Sequence, residues 1–474
     1  MDAVNQVLSQ ISGILWGVPL ASILLATGLF LTLRLVFIQF RGFAHGVGIL
    51  SGRYDDPDHK GQLTHFQALS AALSATIGIG NIGGVAIAIY YGGPGAIFWM
   101  WVTALFGMAI KYTECTLAIR FRKVEEDGNI RGGPMYFIEL GLGKYFKPLA
   151  WLFAFCTAVA AMGAGNMVQS NTLAHSLVDV FDVAPENITM WRWIIGFVIA
   201  GLVGTVIIGG IKRIGHVASF LVPFMSVVYV ISAIIVLMLH IDQIGPAFEL
   251  IFYHAFHPTA AVGGAAGGVT IWMTISWGLR RGLFSNESGQ GSAAMAHSTA
   301  KVEEPVREGL VAMLGPFIDT IIICTMTALV IITSGIWADG LNAAPLTMAA
   351  FDKALPVYGK WMVVLGILLF AYSTTLSWSY YGEKGIEYIL GSWSKLPYKL
   401  LFVFFTLLGA RLDLVAVWSY ADIANGLMAV PNLFALLGLS GVIAAMTRTY
   451  MKEKAEGKHL PYKEVLRLRR EGKG

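Results

Sequence analysis

Long apolar stretches separated by short polar ones run the whole length of the chain. Eleven apolar segments can be placed, most of them close to the roughly 20 residues that an α-helix needs to cross a bilayer. They cover residues 14–39, 66–92, 95–120, 149–178, 192–211, 214–239, 266–284, 309–334, 358–382, 397–411 and 414–447. The last segment is long, and Pro431 marks where it could divide into two helices. This pattern predicts an all-α integral membrane protein with about eleven transmembrane helices.

The composition agrees with this class. Of the 474 residues, 56% are hydrophobic and only 13% are charged, which is far from the balance of a soluble enzyme. Glycine is abundant, at 54 residues, as expected where membrane helices pack closely. The polar stretches between segments are short, so we expect a single transmembrane domain over residues 1–474 and no soluble domain.

The lysines and arginines predict the orientation of the segments. Loops that follow odd-numbered segments, together with the tail, hold 27 of the 33 basic residues, and the other loops hold four. Because basic loops stay in the cytoplasm, we expect a plasma (inner) membrane protein with its N-terminus outside and its C-terminus cytoplasmic. The net charge of +4 then reflects topology, and no nucleic acid is expected as a partner. The basic tail, residues 448–474, is a solvated anchor or, less simply, a contact with membrane lipid.

A run of helix-breaking residues interrupts the second segment near its middle. The run is Ala75-Thr76-Ile77-Gly78-Ile79-Gly80-Asn81. Backbone groups freed at this depth survive only where they line a protein cavity or bind a ligand. The two half-helices would aim opposite dipole ends at one point, which suits an anionic group plus a cation and is typical of secondary transporters. A simple kink or a close helix contact is the alternative.

Two clusters of uncharged polar side chains fall inside other segments, where each is costly in hydrocarbon. Asn166, Gln169 and Ser170 share one helical face, which suits a zwitterion or, equally, a hydrogen bond between helices. The ninth segment carries a hydroxyl cluster made of Ser373, Thr374, Thr375 and Ser377. Hydroxyls combined with unwound carbonyls suit a monovalent alkali cation, and back-bonding to their own helix is the alternative.

The seventh segment repeats the theme of the second. Glycines at 263, 264, 267 and 268 precede Trp272 and Met273, so this helix could open opposite the second segment and supply apolar walls. Counted from the second segment it is the sixth helix, and an inverted repeat of five plus five helices would pair the two. The predicted division is an extra helix at 14–39, a first repeat at 66–239 and a second repeat at 266–447.

Charged residues inside segments are few. Lys111 and Glu114 lie at i and i+3, which predicts a structural ion pair rather than a proton relay. Asp319 and Asp422 have no evident partner, and either could carry protons. The sequence contains no histidine cluster with metal-ligand spacing, no GxSxG and no nucleotide-binding motif. An enzyme or an ATP-driven pump is therefore not expected.

Several longer motifs resemble one transporter family. They are Gln67-Ala-Leu69, Thr76-Ile-Gly-Ile-Gly-Asn81, Gly92-Gly-Pro-Gly-Ala-Ile-Phe-Trp-Met-Trp101, Gly132-Gly-Pro-Met-Tyr136, Arg281-Gly-Leu-Phe-Ser-Asn-Glu-Ser-Gly289 and Asp422-Ile-Ala-Asn-Gly-Leu-Met-Ala-Val-Pro-Asn432. Over nearly the whole chain they resemble the alanine/glycine:cation symporter family of the amino acid–polyamine–organocation superfamily. The resemblance implies a leucine-transporter-type 5+5 inverted repeat plus one N-terminal helix. It also implies symport of alanine or glycine with Na⁺ as coupling ion and no other cofactor.

The resemblance further implies roles for individual residues. The substrate site would comprise Thr76, Gly78, Ile79, Gly80, Asn81, Asn166, Gln169, Trp272, Met273 and Trp378, and the sodium site Ser74, Ile77, Thr374 and Thr375. The amides of residues 79 and 80 with Asn81 would hold the carboxylate, and Gln169 with Asn166 would meet the amino group. The tryptophans and the methionine would limit the size of the substrate side chain. Ile79 departs from the family pattern, in which a small hydroxyl residue is frequent at this position.

Three alternatives compete with this interpretation. A channel would need a continuous polar pore, whereas the sparse polar groups within the segments favour an occluded site. A membrane-embedded enzyme would need a reactive pair within hydrogen-bond reach. A proton could replace sodium as the coupling ion.

Overall fold

A computed structural model describes residues 2–16, 18–126, 128–257, 269–462, 464–465 and 467. One antiparallel hairpin is formed by strands β1 (Lys123–Val124) and β2 (Ile130–Arg131). Nearly all of the remaining ordered elements are helical. The predicted glycine-rich opening at residues 263–268 lies outside the described residues.

The α-helices follow one another from end to end. The first twelve are α1 Asp2–Leu15, α2 Val18–Arg34, α3 Ile38–Arg41, α4 Phe43–Leu50, α5 His65–Thr76, α6 Val85–Gly92, α7 Ala96–Arg120, α8 Pro134–Phe137, α9 Lys147–Met162, α10 Val168–Val180, α11 Ile188–Ile207 and α12 Gly210–Leu239. The others are α13 Ile241–Phe256, α14 Ile271–Asn286, α15 Ser292–His297, α16 Pro305–Ala312, α17 Leu314–Pro316, α18 Thr325–Ser334, α19 Ala343–Ala354, α20 Tyr358–Leu390, α21 Lys395–Gly409, α22 Leu414–Gly438 and α23 Ser440–Ala455.

Shorter helical turns join several of these helices. The π-helical turns are Gly80–Gly84, Ile138–Leu142, Gly163–Met167 and Phe317–Cys324, and the 3₁₀ turns are Lys144–Phe146, Pro185–Asn187 and Ser392–Ser394.

The predicted all-α membrane architecture is confirmed. Among the described residues, eight helical stretches are long and apolar enough to cross a membrane, and the bent pair α5–α6 makes a ninth. The predicted segments 266–284 and 397–411 correspond to α14 and α21, of 16 and 15 residues, so the count of eleven remains a prediction. The last segment divides at Leu439 and not at Pro431, which lies inside α22. Membrane helices tolerate an internal proline where neighbours satisfy the freed carbonyl.

The second segment is broken where the sequence predicts it. Helix α5 ends at Thr76, a π-helical turn follows at Gly80–Gly84, and the two halves are inclined by 54°. The π-helical turn Phe317–Cys324 packs directly against this break. Single π-turns inside helices frequently mark functional sites. The longest helix, α20, packs against α5, α9, α10, α12 and α19, so it brings residues 373–378 to the break.

Three of the loops that follow odd-numbered segments meet at one end of the bundle. The Arg122 guanidinium donates hydrogen bonds to the carbonyls of Lys60, Ser298, Ala300 and Val302, over 2.6–2.9 Å. This end, called the basic end below, therefore gathers loops that the charge count had grouped together.

Two expectations about charged residues are wrong. Lys111 Nζ has no hydrogen-bond partner within the described part of the chain, and Glu114 Oε1 instead accepts from the Gly289 amide at 2.9 Å and from Asn432 at 2.7 Å. The spacing brings the two charges close enough for Coulombic attraction, but they form no direct ion pair among the described residues, because the Glu114 carboxylate hydrogen-bonds to the loop after α14. Asp422 is also not unpaired, since its Oδ2 lies 2.9 Å from an Arg281 Nη2.

One buried carboxylate joins three helices at the basic end. Glu308 of α16 is fully buried and contacts His65 Nδ1 at the start of α5, and its other oxygen lies 2.5 Å from His297 Nδ1 at the end of α15. Both histidines are buried as well. A carboxylate in such surroundings is stable only while its partners remain. We call this cluster the His–Glu–His latch, because it fastens α5, the first half of the broken helix, to its neighbours.

Glu308→Gln should therefore destabilise the folded bundle. The change keeps the shape of the side chain but removes the charge that both imidazoles face, and breaking a buried ionic pair typically costs about 3–5 kcal/mol. Thermal unfolding of the purified chain in detergent measures this as a lower midpoint. Glu303→Gln is the matched control, because its side chain is 72% exposed. Equal midpoints for the two variants would show that the latch contributes no stability.

Candidate functional site

A small cavity lies at the break between α5 and α6. It is lined by Ala75, Thr76, Gly78, Gly80, Ala164, Gln169, Phe284, Glu287, Thr374, Trp378 and Asn425. Its volume is about 10 Å³, which is room for about one water molecule. The structure thus shows a closed site, which must widen before it can hold a solute.

Side chains satisfy the backbone that the break sets free. The chain leaves the helix at Ile77, with φ −75° and ψ 90°. The Gly78 amide donates to Asn81 Oδ1 at 2.8 Å, and Thr374 Oγ1 donates to the Ile77 carbonyl at 3.4 Å. Gly78 does not adopt a positive φ. Glycine is needed there for close approach, since a Cβ would lie 2.5 Å from Thr374 Oγ1.

Gln169 accepts a hydrogen bond from the backbone amide of Ile79, which was predicted to hold a ligand carboxylate. Its Oε1 accepts from the Ile79 amide at 3.3 Å, and its Nε2 donates to the Ala164 carbonyl at 2.8 Å. A carboxylate that reached the Ile79 amide would displace this weak bond. The released oxygen could then accept from an ammonium group. One side chain can therefore exchange a backbone partner for the amino group of a ligand.

A buried carboxylate also lines the cavity. Glu287 accepts from Trp378 Nε1 at 2.8 Å and from Ser292 Oγ at 2.5 Å. It follows α14 in the left-handed region, with φ 55°, which is uncommon for a residue other than glycine. Coulombic attraction also links it to the buried Lys111. These hydrogen bonds thus hold the Glu287 carboxylate in the cavity wall.

Neutral oxygens gather beside the cavity, between α5 and α20. Ser74 Oγ donates to the Ser373 carbonyl at 2.6 Å, and Ser373 Oγ lies 3.3 Å from the Ser74 carbonyl. Thr374 reaches the Ile77 carbonyl, whereas Thr375 Oγ1 donates to Ala371 within its own helix at 2.8 Å. Hydrogen bonds thus join α20 to the residues around the end of α5, and of the four predicted sodium ligands they bring Thr374 to the Ile77 carbonyl, while the Thr375 hydroxyl bonds to its own helix.

Asn81 supports the break from behind the cavity. Its Nδ2 donates to Asp319 Oδ1 at 2.7 Å, and the other oxygen of Asp319 accepts from Ser285 at 2.8 Å and Thr320 at 2.7 Å. All four side chains are buried. Asp319 thus orients the amide that caps Gly78, and it ties the broken helix to α14 and to the π-helical turn Phe317–Cys324.

The structure brings only some of the predicted substrate residues together. Thr76, Gly78, Gly80, Gln169 and Trp378 line the cavity, whereas Ile79 lines a larger neighbouring cavity and donates its amide to Gln169. Four others lie elsewhere: Asn81 faces Asp319, Asn166 donates to the Phe402 carbonyl, Trp272 is 40% exposed, and Met273 is half-buried near the start of α14. None of these four lines the cavity.

Five lining residues had no predicted role: Ala75, Ala164, Phe284, Glu287 and Asn425. The last three lie inside motifs that carry the family resemblance. The available signal was an ionisable residue directly after an apolar helix, since Glu287 is buried despite its charge. Phe284 takes the place that Trp272 and Met273 were expected to fill, three helical turns further along α14.

Two larger cavities open towards the end of the bundle opposite the basic end. They measure about 350 and 400 Å³, and Ala343 and Trp418 line both. Ile79 lines the first of these, whereas its sequence neighbours Gly78 and Gly80 line the small cavity at the helix break. We call these two larger cavities the vestibule. Phe284 lines the small cavity and Trp418 lines the vestibule, and their rings lie 5.1 Å apart. The contact between these two rings thus separates the small cavity from the vestibule.

Cationic groups hold this layer of two rings. The Arg281 guanidinium lies 5.5 Å from the Phe284 ring and 5.2 Å from the Trp418 ring. Asp422 Oδ2 binds it at 2.9 Å and also contacts Arg280. Movement of this layer would open the small cavity to the vestibule.

Comparisons with known proteins agree with this architecture. A family model described as the sodium:alanine symporter family matches residues 1–464. The sodium/alanine symporter AgcS of Methanococcus maripaludis is 46% identical over 456 residues, covering 95% of this chain and 98% of its own. The probable sodium/glutamine symporter GlnT of Bacillus subtilis is 35% identical, covering 98% and 95% of the two chains.

A solved structure shares the fold. The crystal structure of MhsT in complex with L-phenylalanine aligns with a TM-score of 0.58 at 16% identity, over 80% of this chain and 89% of that one. Such a likeness shows the fold alone, which is the leucine-transporter type. The family model and the named relatives identify the chain as a transporter and not an enzyme. The chain belongs to the sodium:alanine symporter family and is a multi-pass membrane amino acid symporter.

Proposed function

We propose that this protein couples the uptake of one small neutral amino acid, alanine or glycine, to the entry of sodium by alternating access. The observation that carries the proposal is the cavity at the helix break, where the Ile79 amide, Gln169 and an adjacent group of neutral oxygens meet. For the orientation of the protein in the membrane, we propose that the basic end faces the cytoplasm, as the basic loops predict.

The substrate would be held at both ends of its zwitterion. Its carboxylate would take the Ile79 amide from Gln169, and the freed Gln169 oxygen would accept from its ammonium. Glu287 would add negative charge on the ammonium side of the cavity. These contacts use only groups that every α-amino acid shares, so the walls must decide which side chain is accepted.

The walls favour the smallest amino acids. The closed cavity of about 10 Å³ is bounded by Phe284 and Trp378, and Trp378 packs so closely on Gly165 that a Cβ there would overlap it. A modest widening would admit a hydrogen or methyl side chain. A relative such as GlnT, named as a probable sodium/glutamine symporter, suggests what a wider cavity in this fold could take. We therefore propose alanine or glycine here.

Sodium would bind to the neutral oxygens beside the cavity. The carbonyls of Ser74 and Ile77 and the hydroxyls of Thr374 and Thr375 are hard oxygen donors without a carboxylate, which suits a monovalent cation. The Ile77 carbonyl and the Ile79 amide belong to the same unwound turn. A cation that orders the carbonyl would also order the amide, and this shared ordering would couple the two ligands.

The two ends of the bundle would act as gates. Phe284, Trp418 and the Arg281–Asp422 pair would close the vestibule side, and the His–Glu–His latch would close the basic end. The repeat pairing of 66–239 with 266–447 would let these gates open in turn around a fixed site.

Uptake into proteoliposomes tests the function. An inward sodium gradient should concentrate radiolabelled alanine or glycine above the external level, and the label should be recovered unchanged. Accumulation that is independent of sodium but follows an imposed proton gradient would mean that the coupling ion is a proton. Glu287 and Asp319 would then be the candidate proton carriers. Equilibration without accumulation would mean a channel and would contradict symport.

Thr375→Ala should lower the apparent affinity for sodium more than the affinity for the substrate. Loss of one oxygen ligand typically costs about 1–3 kcal/mol, so the sodium concentration for half-maximal uptake should rise while alanine affinity at saturating sodium changes little. Thr333→Ala is the control, since its hydroxyl also bonds to its own helix, at 2.8 Å from the Leu329 carbonyl. An identical sodium dependence in both variants would place the cation elsewhere.

Gln169→Leu should weaken the binding of alanine and of glycine to the same extent. The variant leaves the ammonium of any substrate without a partner, which typically costs about 1–3 kcal/mol. Competition binding with a panel of amino acids would show lower affinity throughout and an unchanged ranking. A change confined to the ranking would mean that Gln169 contacts the side chain and not the amino group.

Phe284→Ala should instead change the ranking of amino acids, without weakening all of them alike. The smaller side chain would enlarge the cavity towards the vestibule, so valine and leucine should gain affinity relative to alanine in the same assay. Trp272→Ala is the control on the same helix, because its side chain is 40% exposed and does not line the cavity. The proposed wall is wrong if Trp272→Ala broadens acceptance and Phe284→Ala does not.

A further inference from the structure

A separate cavity lies at the basic end, between the end of α2 and the middle of α23. Its volume is about 270 Å³. It is lined by Arg34, Leu35, Val36, Arg41, Ala444, Thr447, Arg448, Met451 and Lys452. Four of these nine side chains are basic and none is acidic. Such a lining attracts an anion and has no evident role in binding the zwitterion at the helix break.

The basic groups of this cavity keep most of their donors free. Arg34, Arg41 and Arg448 each donate to one backbone carbonyl, over 3.2–3.4 Å. Among the described residues no carboxylate lies within 4.0 Å of these three guanidinium groups. Lys452 has only an exposed contact with Glu456, at 4.0 Å, which contributes little. A guanidinium carries five N–H donors, so several remain for a ligand with many acceptor oxygens.

The backbone at the rim of the cavity is strained. Val36 and Phe37 are consecutive residues with φ 53° and φ 54°, a conformation that is a clear outlier for a β-branched side chain. Strain of this kind tends to persist where a site needs it. Here it turns the chain sharply after α2, so that Arg34 and Arg41 line the same cavity.

Apolar side chains stand exposed beside the basic ones. Leu33, Val36, Phe37 and Phe40 are between 47% and 64% exposed. Their position at the end of a membrane-spanning helix puts them beside the hydrocarbon region. The rim of the cavity therefore combines free cationic donors with an apolar surface, as the boundary between head group and acyl chain does in a bilayer.

We propose that this cavity binds the phosphate of an anionic glycerophospholipid. The phosphate oxygens would accept from Arg34, Arg41 and Arg448, with Lys452 adding charge, and the acyl chains would lie along Leu33 and Phe40. The exposed apolar rim favours a lipid over a free phosphate ion, since a soluble ion would make no use of it. The lipid would join α2 to α23 and hold the strained turn between α2 and α3 in place.

Delipidated full-length protein in detergent provides the test. Phosphatidylglycerol should raise the thermal unfolding midpoint and remain bound in native mass spectrometry, whereas phosphatidylcholine and inorganic phosphate should do neither. In Arg448→Gln/Lys452→Gln the affinity for phosphatidylglycerol should fall roughly fivefold for each charge removed. Arg41→Gln, which leaves α23 intact, should give a fall of the same kind and checks the site if the double variant folds poorly.

Lys212→Gln/Arg213→Gln is the matched control. Both side chains are exposed at the basic end, near the start of α12, and do not line the cavity. An equal loss of affinity in the control would mean attraction to diffuse surface charge. Equal protection by inorganic phosphate would mean a soluble-anion site. Either result overturns the proposal.

Discussion

Unwound backbone in the middle of a membrane has no water to bond to, and the rest of the structure depends on how residues 77–81 are satisfied. Thr374 bonds the Ile77 carbonyl, Asn81 bonds the Gly78 amide, and Gln169 bonds the Ile79 amide. Each of these contacts fixes a neighbour. Asn81 needs Asp319 behind it, and Thr374 needs a glycine at position 78 to come close enough. The break is therefore a set of temporary bonds that ligands could replace.

This exchange gives a physical basis for coupling. The hydroxyl of Thr374 and the side-chain oxygen of Gln169 hold groups only two residues apart. In the proposed mechanism a cation takes over the first bond and a carboxylate the second, so either ligand prepares the turn for the other. The aromatic layer around Arg281 packs next to the cavity, and the latch around Glu308 holds the start of α5, the helix that ends at this turn. In the proposed mechanism a change at the break would reach both gates through these packed helices.

Much of the fold could be predicted from the sequence. Hydropathy located the spans, because each must cover its backbone with apolar side chains, and the run Thr76–Asn81 located the break. The direction of individual side chains could not be predicted. Lys111 and Glu114 have the spacing of an ion pair, but the carboxylate bonds the Gly289 amide instead. That choice depends on a loop 175 residues away in sequence.

The candidate site shows the same division. Of the predicted residues on the unwound turn, Gly78 and Gly80 line the cavity and Asn81 does not. Glycine and broken periodicity are local signals, so they could locate the turn. Of the predicted wall residues, Trp378 lines the cavity, whereas Trp272 and Met273 do not, because their direction depends on the rotation of α14 about its axis. The seventh segment has large apolar residues on every side, so Trp272 and Phe284 were equivalent until packing fixed their faces. Glu287 likewise reaches the cavity only through the left-handed turn that ends α14.

Reciprocal binding tests the central claim most directly. Calorimetry on the purified protein would give the alanine dissociation constant with and without saturating sodium, and the sodium constant with and without saturating alanine. If one unwound turn serves both ligands, each should strengthen the other by the same factor, typically between about five- and 150-fold. Affinities for alanine that stay the same at every sodium concentration, with potassium as the balancing ion, would contradict the account.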